Sequence, residues 1–289
     1  MKSVLTSYLK LLLFFIPVIS YWLFQDVATS FNGNTMGTTY SIKAYIPRYK
    51  NTDDIHQAIK DRLKAINNSM STYIKTSEIS LFNKHSSTND FNVSDDFLKV
   101  IKQSQEIYKI TNGFWDGSIY PLVLLWGFNK DEDLETKPSK KATQEALKLI
   151  DFSKLKTKPN NIIYKTEPKM TIDLSSIAKG FGVDEVANLL NKEGIKSYFV
   201  EIGGEIYTKG IKHDESLWKI GIHSPKIENI KNKIFTLVSL KNQAIATSGN
   251  YRNYIKINNK KYGHIFNPKL ATPVETNIVS VSVIANNTM

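Results

Sequence analysis

The side chains best spaced for chemistry lie in one stretch, Thr171-Ile-Asp-Leu-Ser-Ser-Ile-Ala-Lys-Gly-Phe-Gly-Val-Asp184. Asp173, Ser176 and Lys179 fall at i, i+3 and i+6, so one side of a turn entering a helix can carry a carboxylate, a hydroxyl and an ammonium. A helix N-terminus offers unpaired backbone N–H groups and the positive end of a dipole. The lysine adds a full charge, and Gly180 and Gly182 permit close approach of a backbone or a ligand. Such a set holds a phosphate. The same residues also read as a capped strand-to-helix turn whose glycines serve packing alone.

The surrounding elements follow from periodicity. Met170 and Ile172 alternate around Thr171, predicting a short strand that gives out at Asp173. Ser175 and Ser176 are N-cap residues, Ile177, Ala178, Phe181, Val183 and Ala187 supply an apolar helical face, and Gly194 is a natural C-cap. Upstream, residues 35–46 alternate as a strand. Thr52 then opens a helix carrying Ile55, Ile59, Leu63, Ile66 and Met70 on one face. Ser94 caps another with Phe97, Val100, Ile101, Ile107 and Tyr108, closed by Asn112-Gly113. Residues 130–141 are charged and contain Pro138, which predicts an exposed loop before a short helix at 143–150. Downstream, strands are expected at 198–207, 218–222, 234–240, 243–247, 251–257 and 278–285. Gly203-Gly204 interrupts the first of these, marking a bulge, a close backbone approach or a hairpin twist. Helices in the first half and strands in the second predict a single α+β domain, a mostly antiparallel sheet with flanking helices.

Residues 1–30 stand apart. Lys2 and Lys10 flank a nearly unbroken apolar run at 11–24, interrupted by Pro17 and Ser20. It falls short of the roughly 20 apolar residues of a spanning helix. The segment reads as a signal peptide or an uncleaved inner-membrane anchor, so residues 31–289 are expected to be exported to the periplasm. The 41% hydrophobic and 22% charged fractions are those of a globular protein. The absence of cysteine excludes disulfides, thiolate metal sites and a lipidated cysteine. A net charge of +11 favours anionic partners, but its lysines are scattered, which argues against nucleic acid.

Residues 173–184 resemble the central motif of the ApbE-like flavin transferases, the FAD:protein FMN transferases. Other signatures of that family follow in order: Met36-Gly-Thr-Thr-Tyr40, Met70-Ser-Thr-Tyr73, Gly113-Phe-Trp-Asp116, Pro121-Leu-Val-Leu-Leu-Trp-Gly-Phe128, Glu201-Ile-Gly-Gly204, Ala246-Thr-Ser-Gly-Asn-Tyr251 and His264-Ile-Phe-Asn-Pro268. The resemblance runs from about Gly33 to the last residue. It implies flavin contacts at Met36, Tyr73, Phe114, Trp115, Asp116, Asp173, Lys179 and Ile265, a magnesium ligand at Ser176, and a catalytic base at His264. Their chemistry suits these roles: aromatic and thioether surfaces face a flat ring, lysine neutralises phosphate, and a hydroxyl oxygen suits a hard cation. Histidine titrates near neutrality and can act as a base there. Arg252 lies within reach of a phosphate in the same reading, and Asn267 stands where the family more often has Asp.

The implied reaction takes FAD as substrate and needs magnesium. A threonine hydroxyl of a target flavoprotein attacks the FMN-side phosphorus and expels AMP. Family members continue past the last strand into an Ala-Asp-Ala-Leu-Ala-Thr-like motif that completes the magnesium site. This chain ends at Asn286-Asn-Thr-Met289, so the remaining metal ligands are expected beyond Met289. Two alternatives stand beside transfer: a magnesium-dependent FAD pyrophosphatase, and an FAD-binding protein without turnover.

Overall fold

The computed structural model describes residues 22–129, 136–223, 234–250 and 253–289. The first half holds β1 (Asp26–Thr35), β2 (Thr38–Pro47), α1 (Thr52–Met70), α2 (Glu78–Lys84), β3 (Phe91–Asn92), α3 (Asp95–Ile110), α4 (Tyr120–Leu125) and α5 (Lys140–Leu147). After β4 (Leu155–Lys158) and β5 (Ile162–Lys165) comes the long α6 (Ser175–Lys192). Strands then dominate: β6 (Tyr198–Ile202), β7 (Glu205–Lys209), β8 (Trp218–His223), β9 (Ile234–Leu240) and β10 (Gln243–Gly249). β11 (Tyr254–Ile257), β12 (Lys260–Gly263), β13 (Phe266–Asn267), β14 (Thr272–Pro273) and β15 (Ser280–Ala285) complete the order.

Six strands form one antiparallel sheet, ordered β1-β2-β6-β7-β10-β15. α6 and α1 lie on one face. Ile42, Ala44, Ile46, Tyr198, Val200 and Ile202 point from β2 and β6 into a core with Ile55, Ile59 and Leu63 of α1 and Val183, Val186 and Leu190 of α6. The predicted α1 stripe is therefore the buried face, although Asn51, not Thr52, caps it by accepting from the Asp53 N–H at 3.0 Å. A second core joins the end of α1 to α2, α3 and the start of α6 through Ile66, Phe82, Phe97, Ile101, Phe152 and Phe181. A third packs α4 and Trp126 against the small β11–β14 hairpins.

Two tight turns bring the future site together. β1 pairs with β2 through Thr35↔Thr38, leaving Met36 and Gly37 as a two-residue loop with φ of 49° and 70°. That left-handed geometry matches the twist of the hairpin. The expected strand at 198–207 is likewise two strands, because Gly203 and Gly204 adopt φ of 59° and 102° and fold β7 back on β6. Both turns lie at the same end of the sheet, where the Gly203 N–H donates to the Thr39 carbonyl at 3.1 Å.

The expected strand at 170–172 is absent, and the reason is local. The Asn83 side chain accepts from the Ile172 N–H and donates to the Ile172 carbonyl, both at 2.8 Å, doing what a neighbouring strand would do. The helix that follows starts at Ser175 with Leu174 as its cap, not a serine. The Asp173 carboxylate instead accepts from the Ser175 N–H at 2.7 Å. Smaller boundary shifts appear elsewhere: α5 begins at Lys140 under a Ser139 cap, β11 begins at Tyr254, and β15 begins at Ser280. Residues 130–135, most of the apolar N-terminal run and Arg252 fall outside the described residues. β15 is a sheet edge, and Val281 and Val283 on it are about half exposed, at 52% and 57%.

Lys165 is buried at an inward position of β5. Its ammonium donates to the Met170 carbonyl at 2.8 Å and the Phe82 carbonyl at 3.2 Å, and sits 4.7 Å from the Phe82 ring centre. Burial drives its pKa down from 10.5 to about 8. The unfolded chain therefore binds more protons than the folded one between those values, so stability rises with pH across that window. Melts at pH 7.5 and 9.5 should differ by about 2 kcal/mol in wild type, and Lys165→Met should remove that gain. An equal pH response in the two proteins would mean that the ammonium is not desolvated.

Candidate active site

α6 points its N-terminus at the end of the sheet that carries both glycine turns. Lys179, in its second turn, donates to Glu205 Oε1 at 2.8 Å, and a Cβ built on Gly203 would lie 3.3 Å from Lys179 Cδ. The backbone turn thus approaches the lysine as closely as a glycine allows. One turn earlier, Ser176 is exposed and its hydroxyl accepts from Trp115 Nε1 at 3.1 Å. Trp115 itself lies edge-on to Phe152, with centroids 5.5 Å apart. Phe114 is 62% exposed and meets the Lys269 ammonium 4.1 Å from its ring centre.

His264 lies on the connection between β12 and β13, beside Ile265. Its Nδ1 lies 3.1 Å from the Asn253 carbonyl, and its own N–H donates to the same oxygen at 3.2 Å. A carbonyl accepts only, so the ring carries its proton on Nδ1 and leaves Nε2 as a free base. Although the residue is solvent-exposed, partial desolvation of the ring lowers the His264 pKa, the Asn253 contact opposes this, and the Lys179 charge lowers it further. Lys179 is thus within electrostatic range of His264 although the two lie far apart in sequence.

Other expected site residues sit around this centre. Met36 reaches α6, where a Cβ on Gly182 would come 2.8 Å from its terminal methyl. Tyr73 is 80% exposed. It acts with Asp173 on Tyr120, whose pKa rises through burial first and these two neighbours second. Asp116 is turned inward. Its carboxylate accepts from the Ser118 N–H at 2.7 Å, from the Ser118 hydroxyl at 2.5 Å and from the Phe152 N–H at 3.3 Å, and burial raises its pKa. Its side chain braces the Phe114-Trp115 loop from below.

Glu205 escaped the sequence reading. It occupies the first position of β7 opposite Ile202, on the face that packs against α6. No local signal marks it, because the face it takes is set by the Gly203-Gly204 turn. Oε1 holds Lys179, while Oε2 is buried without a partner among the described residues, a state a ligand donor would relieve. Glu201, paired with Ile206 on the opposite face of the hairpin, accepts from the Gly204 N–H; burial raises its pKa, that bond opposes the rise, and Glu205 adds to it.

Magnesium is fitted less well. Ser176 supplies one exposed oxygen, but no cluster of three or more His, Cys, Asp or Glu side chains suited to a metal occurs among the described residues. These side chains alone do not make an octahedral oxygen shell. A separate cavity of about 280 Å³ lies on the sheet face away from α6, lined by Tyr45, Phe199 and Trp218, and shares none of the residues above.

The fold and site together define an α+β protein with a lysine, a poised histidine and exposed aromatic rings gathered at one end of its central helix. The chain belongs to the ApbE family, whose model matches residues 36–289. The FAD:protein FMN transferase of Vibrio cholerae is 38% identical over 260 residues, covering 89% of this chain and 77% of that protein. The protein of the same name from Haemophilus influenzae is 36% identical over 267 residues, covering 90% and 77%. The solved structure of the flavin transferase ApbE from Vibrio cholerae superimposes with a TM-score of 0.82 at 35% identity, covering 91% of this chain and 83% of that one.

Proposed function

We propose that the chain is an FAD:protein FMN transferase that moves the FMN half of FAD onto a threonine hydroxyl of a target flavoprotein. The observation that carries this reading is the His264 ring, fixed through Nδ1 by the Asn253 carbonyl so that Nε2 is left to accept a proton, within electrostatic range of the Lys179 ammonium. Nε2 takes the threonine proton as the oxygen attacks the FMN-side phosphorus. The P–O bond to the AMP phosphate breaks, and AMP leaves with the electron pair. Lys179 neutralises phosphate charge, while Met36, Tyr73, Phe114, Trp115 and Ile265 offer apolar and aromatic surface to the flavin. Asp173 and Asp116 complete the flavin site in this reading, Asp116 through the loop it braces.

Magnesium belongs to the proposal, with Ser176 as the exposed residue that would offer it an oxygen. It supplies charge neutralisation on the pyrophosphate when bound. Export and attachment to the inner membrane also belong to it, supported by the apolar run at residues 11–24 that follows Lys2 and Lys10. No described helix is long and apolar enough to cross a membrane.

Incubation with FAD, magnesium and a threonine-bearing acceptor, followed by mass spectrometry, tests the reading. Covalent FMN on the acceptor is the expected result. Free FMN with AMP would mean that water is the nucleophile, and intact FAD would leave only binding. Lys179→Ala should weaken FAD binding about tenfold or more, because a charge-assisted contact to phosphate is lost, and leave riboflavin within a few-fold. Equal losses for both flavins would make Lys179 structural.

A further inference from the structure

An aromatic and basic cluster lies at the opposite end of the molecule from the site. Residues 22–24 form a helical turn tied to the β2–α1 connection, where the Tyr49 N–H donates to the Leu23 carbonyl at 3.2 Å and the Arg48 N–H to the Gln25 carbonyl at 3.1 Å. Trp22, Phe24 and Tyr49 are 52%, 66% and 52% exposed. The Phe24 and Tyr49 rings meet at a tilt of 56° with centroids 5.0 Å apart, and the Arg48 guanidinium lies 4.7 Å from the Trp22 ring centre. Lys50, 5.9 Å from the Tyr49 ring, is already paired with Glu193, so Arg48 is the cation the cluster presents.

Large rings held in water beside a cation suit one solvent well, the boundary between lipid headgroups and acyl chains. Trp and Tyr concentrate there, and Arg and Lys meet anionic headgroups. The cluster is also continuous in sequence with the apolar run that ends at Phe24. We propose that Trp22, Phe24, Arg48 and Tyr49 form a surface that rests on an anionic bilayer and holds the active site away from it. The proposal rests on the membrane attachment suggested above and specifies how the folded domain meets the lipid.

Two independent elements set the distance. β1 runs ten residues from Asp26, beside the cluster, to Thr35, beside Met36 at the site. At about 3.3 Å per residue this is roughly 30 Å. α6 runs the same course in reverse over 18 residues, from Ser176 and Lys179 to Glu193, which pairs with Lys50 at 2.9 Å. At 1.5 Å per residue that gives roughly 27 Å. The acceptor threonine would therefore be met about 30 Å above the lipid surface.

The full chain, reconstituted into phosphatidylcholine–phosphatidylglycerol vesicles containing bromine-labelled lipid, provides the test. The chain has four tryptophans, so Trp22→Phe and Trp115→Phe isolate two of their contributions. Trp22 emission should be quenched by bromine near the headgroups, and Trp115 emission at the site should not. Arg48→Glu should reduce Trp22 quenching on anionic vesicles, and added salt should do the same. Vesicle-bound protein whose Trp22 escapes quenching would overturn the proposed surface while leaving membrane attachment standing. Failure to co-sediment with vesicles would overturn both. Quenching of Trp115 would overturn the spacing, and a Trp22 protected equally without lipid would point to a protein partner instead.

Discussion

Replacing His264 with alanine is expected to lower kcat for FMN transfer by about 10²–10⁴-fold, the usual contribution of a positioned general base. FAD affinity should stay within a few-fold, because the ring acts on the acceptor's proton rather than on the bound nucleotide. The pH dependence follows from the same geometry. A base works only when neutral, so activity is present above its pKa and lost as pH falls through it. Partial desolvation of the ring and the Lys179 charge both hold the His264 pKa below the usual 6.5, against the Asn253 contact. The acid limb of kcat/KM should therefore lie below 6.5, with transfer persisting into mildly acidic conditions. His264→Ala turnover equal to wild type would remove the ring from the mechanism. An acid limb above 6.5 would mean that Lys179 does not face it.

How much of this could be read from the sequence depended on whether the signal was local. The α1 and α3 stripes were legible because side chains spaced by helical turns all meet one core, and Ser94 announces the second helix by capping it as expected. The Gly194 and Asn112-Gly113 stops were legible for the same reason, since each adopts a left-handed backbone. What failed was non-local. The pattern of Met170 and Ile172 is that of a strand, yet Asn83, distant in sequence, takes both backbone hydrogen bonds of Ile172. No reading of residues 170–173 alone reveals that partner. β3, β4, β5, β13 and β14 are two to four residues each, too short to carry a period.

The site divides the same way. Lys179 and His264 were named from their motifs, but what surrounds Lys179 is a property of the sheet. β2 pairs with β6 through Tyr40↔Ile202, and the next turn places Gly203 against Lys179. Glu205 was invisible because its role depends on that turn reversing the chain. Read as a continuous strand from 198 to 207, the alternation places Glu205 opposite in facing to Tyr198, Val200 and Ile202. The two-residue turn flips it onto their face. The hairpin therefore makes Glu205 a partner of Lys179, and Gly203-Gly204, for which a hairpin was one of the readings, builds the pair.

The same central helix is expected to respond very differently to a side chain at its two glycines. A Cβ on Gly182 meets the Met36 methyl at 2.8 Å and Ile202 Cδ1 at 3.3 Å, both ends of side chains. Gly182→Ala should therefore fold, with Met36 displaced. Gly180 faces backbone. A Cβ there would lie 2.4 Å from the Thr288 carbonyl oxygen and 2.8 Å from its carbon, neither of which has a rotamer to move. Thr288 and Met289 are held in that place by Asp184, which accepts from their N–H groups at 2.9 Å and 3.0 Å. Its carboxylate is buried, which raises its pKa, so losing these two donors would leave a desolvated acceptor unpaired. Gly180→Val is thus expected to release residues 288–289 from α6 and to cost about 2–4 kcal/mol, even though valine is the better helix former. Thermal melts measure the cost, and amide exchange at Thr288 and Met289 locates it. Protection of those amides at the wild-type level, with an unchanged melting temperature, would mean that the terminal segment moves aside at no cost. The contact between α6 and residues 288–289 would then contribute nothing to the fold.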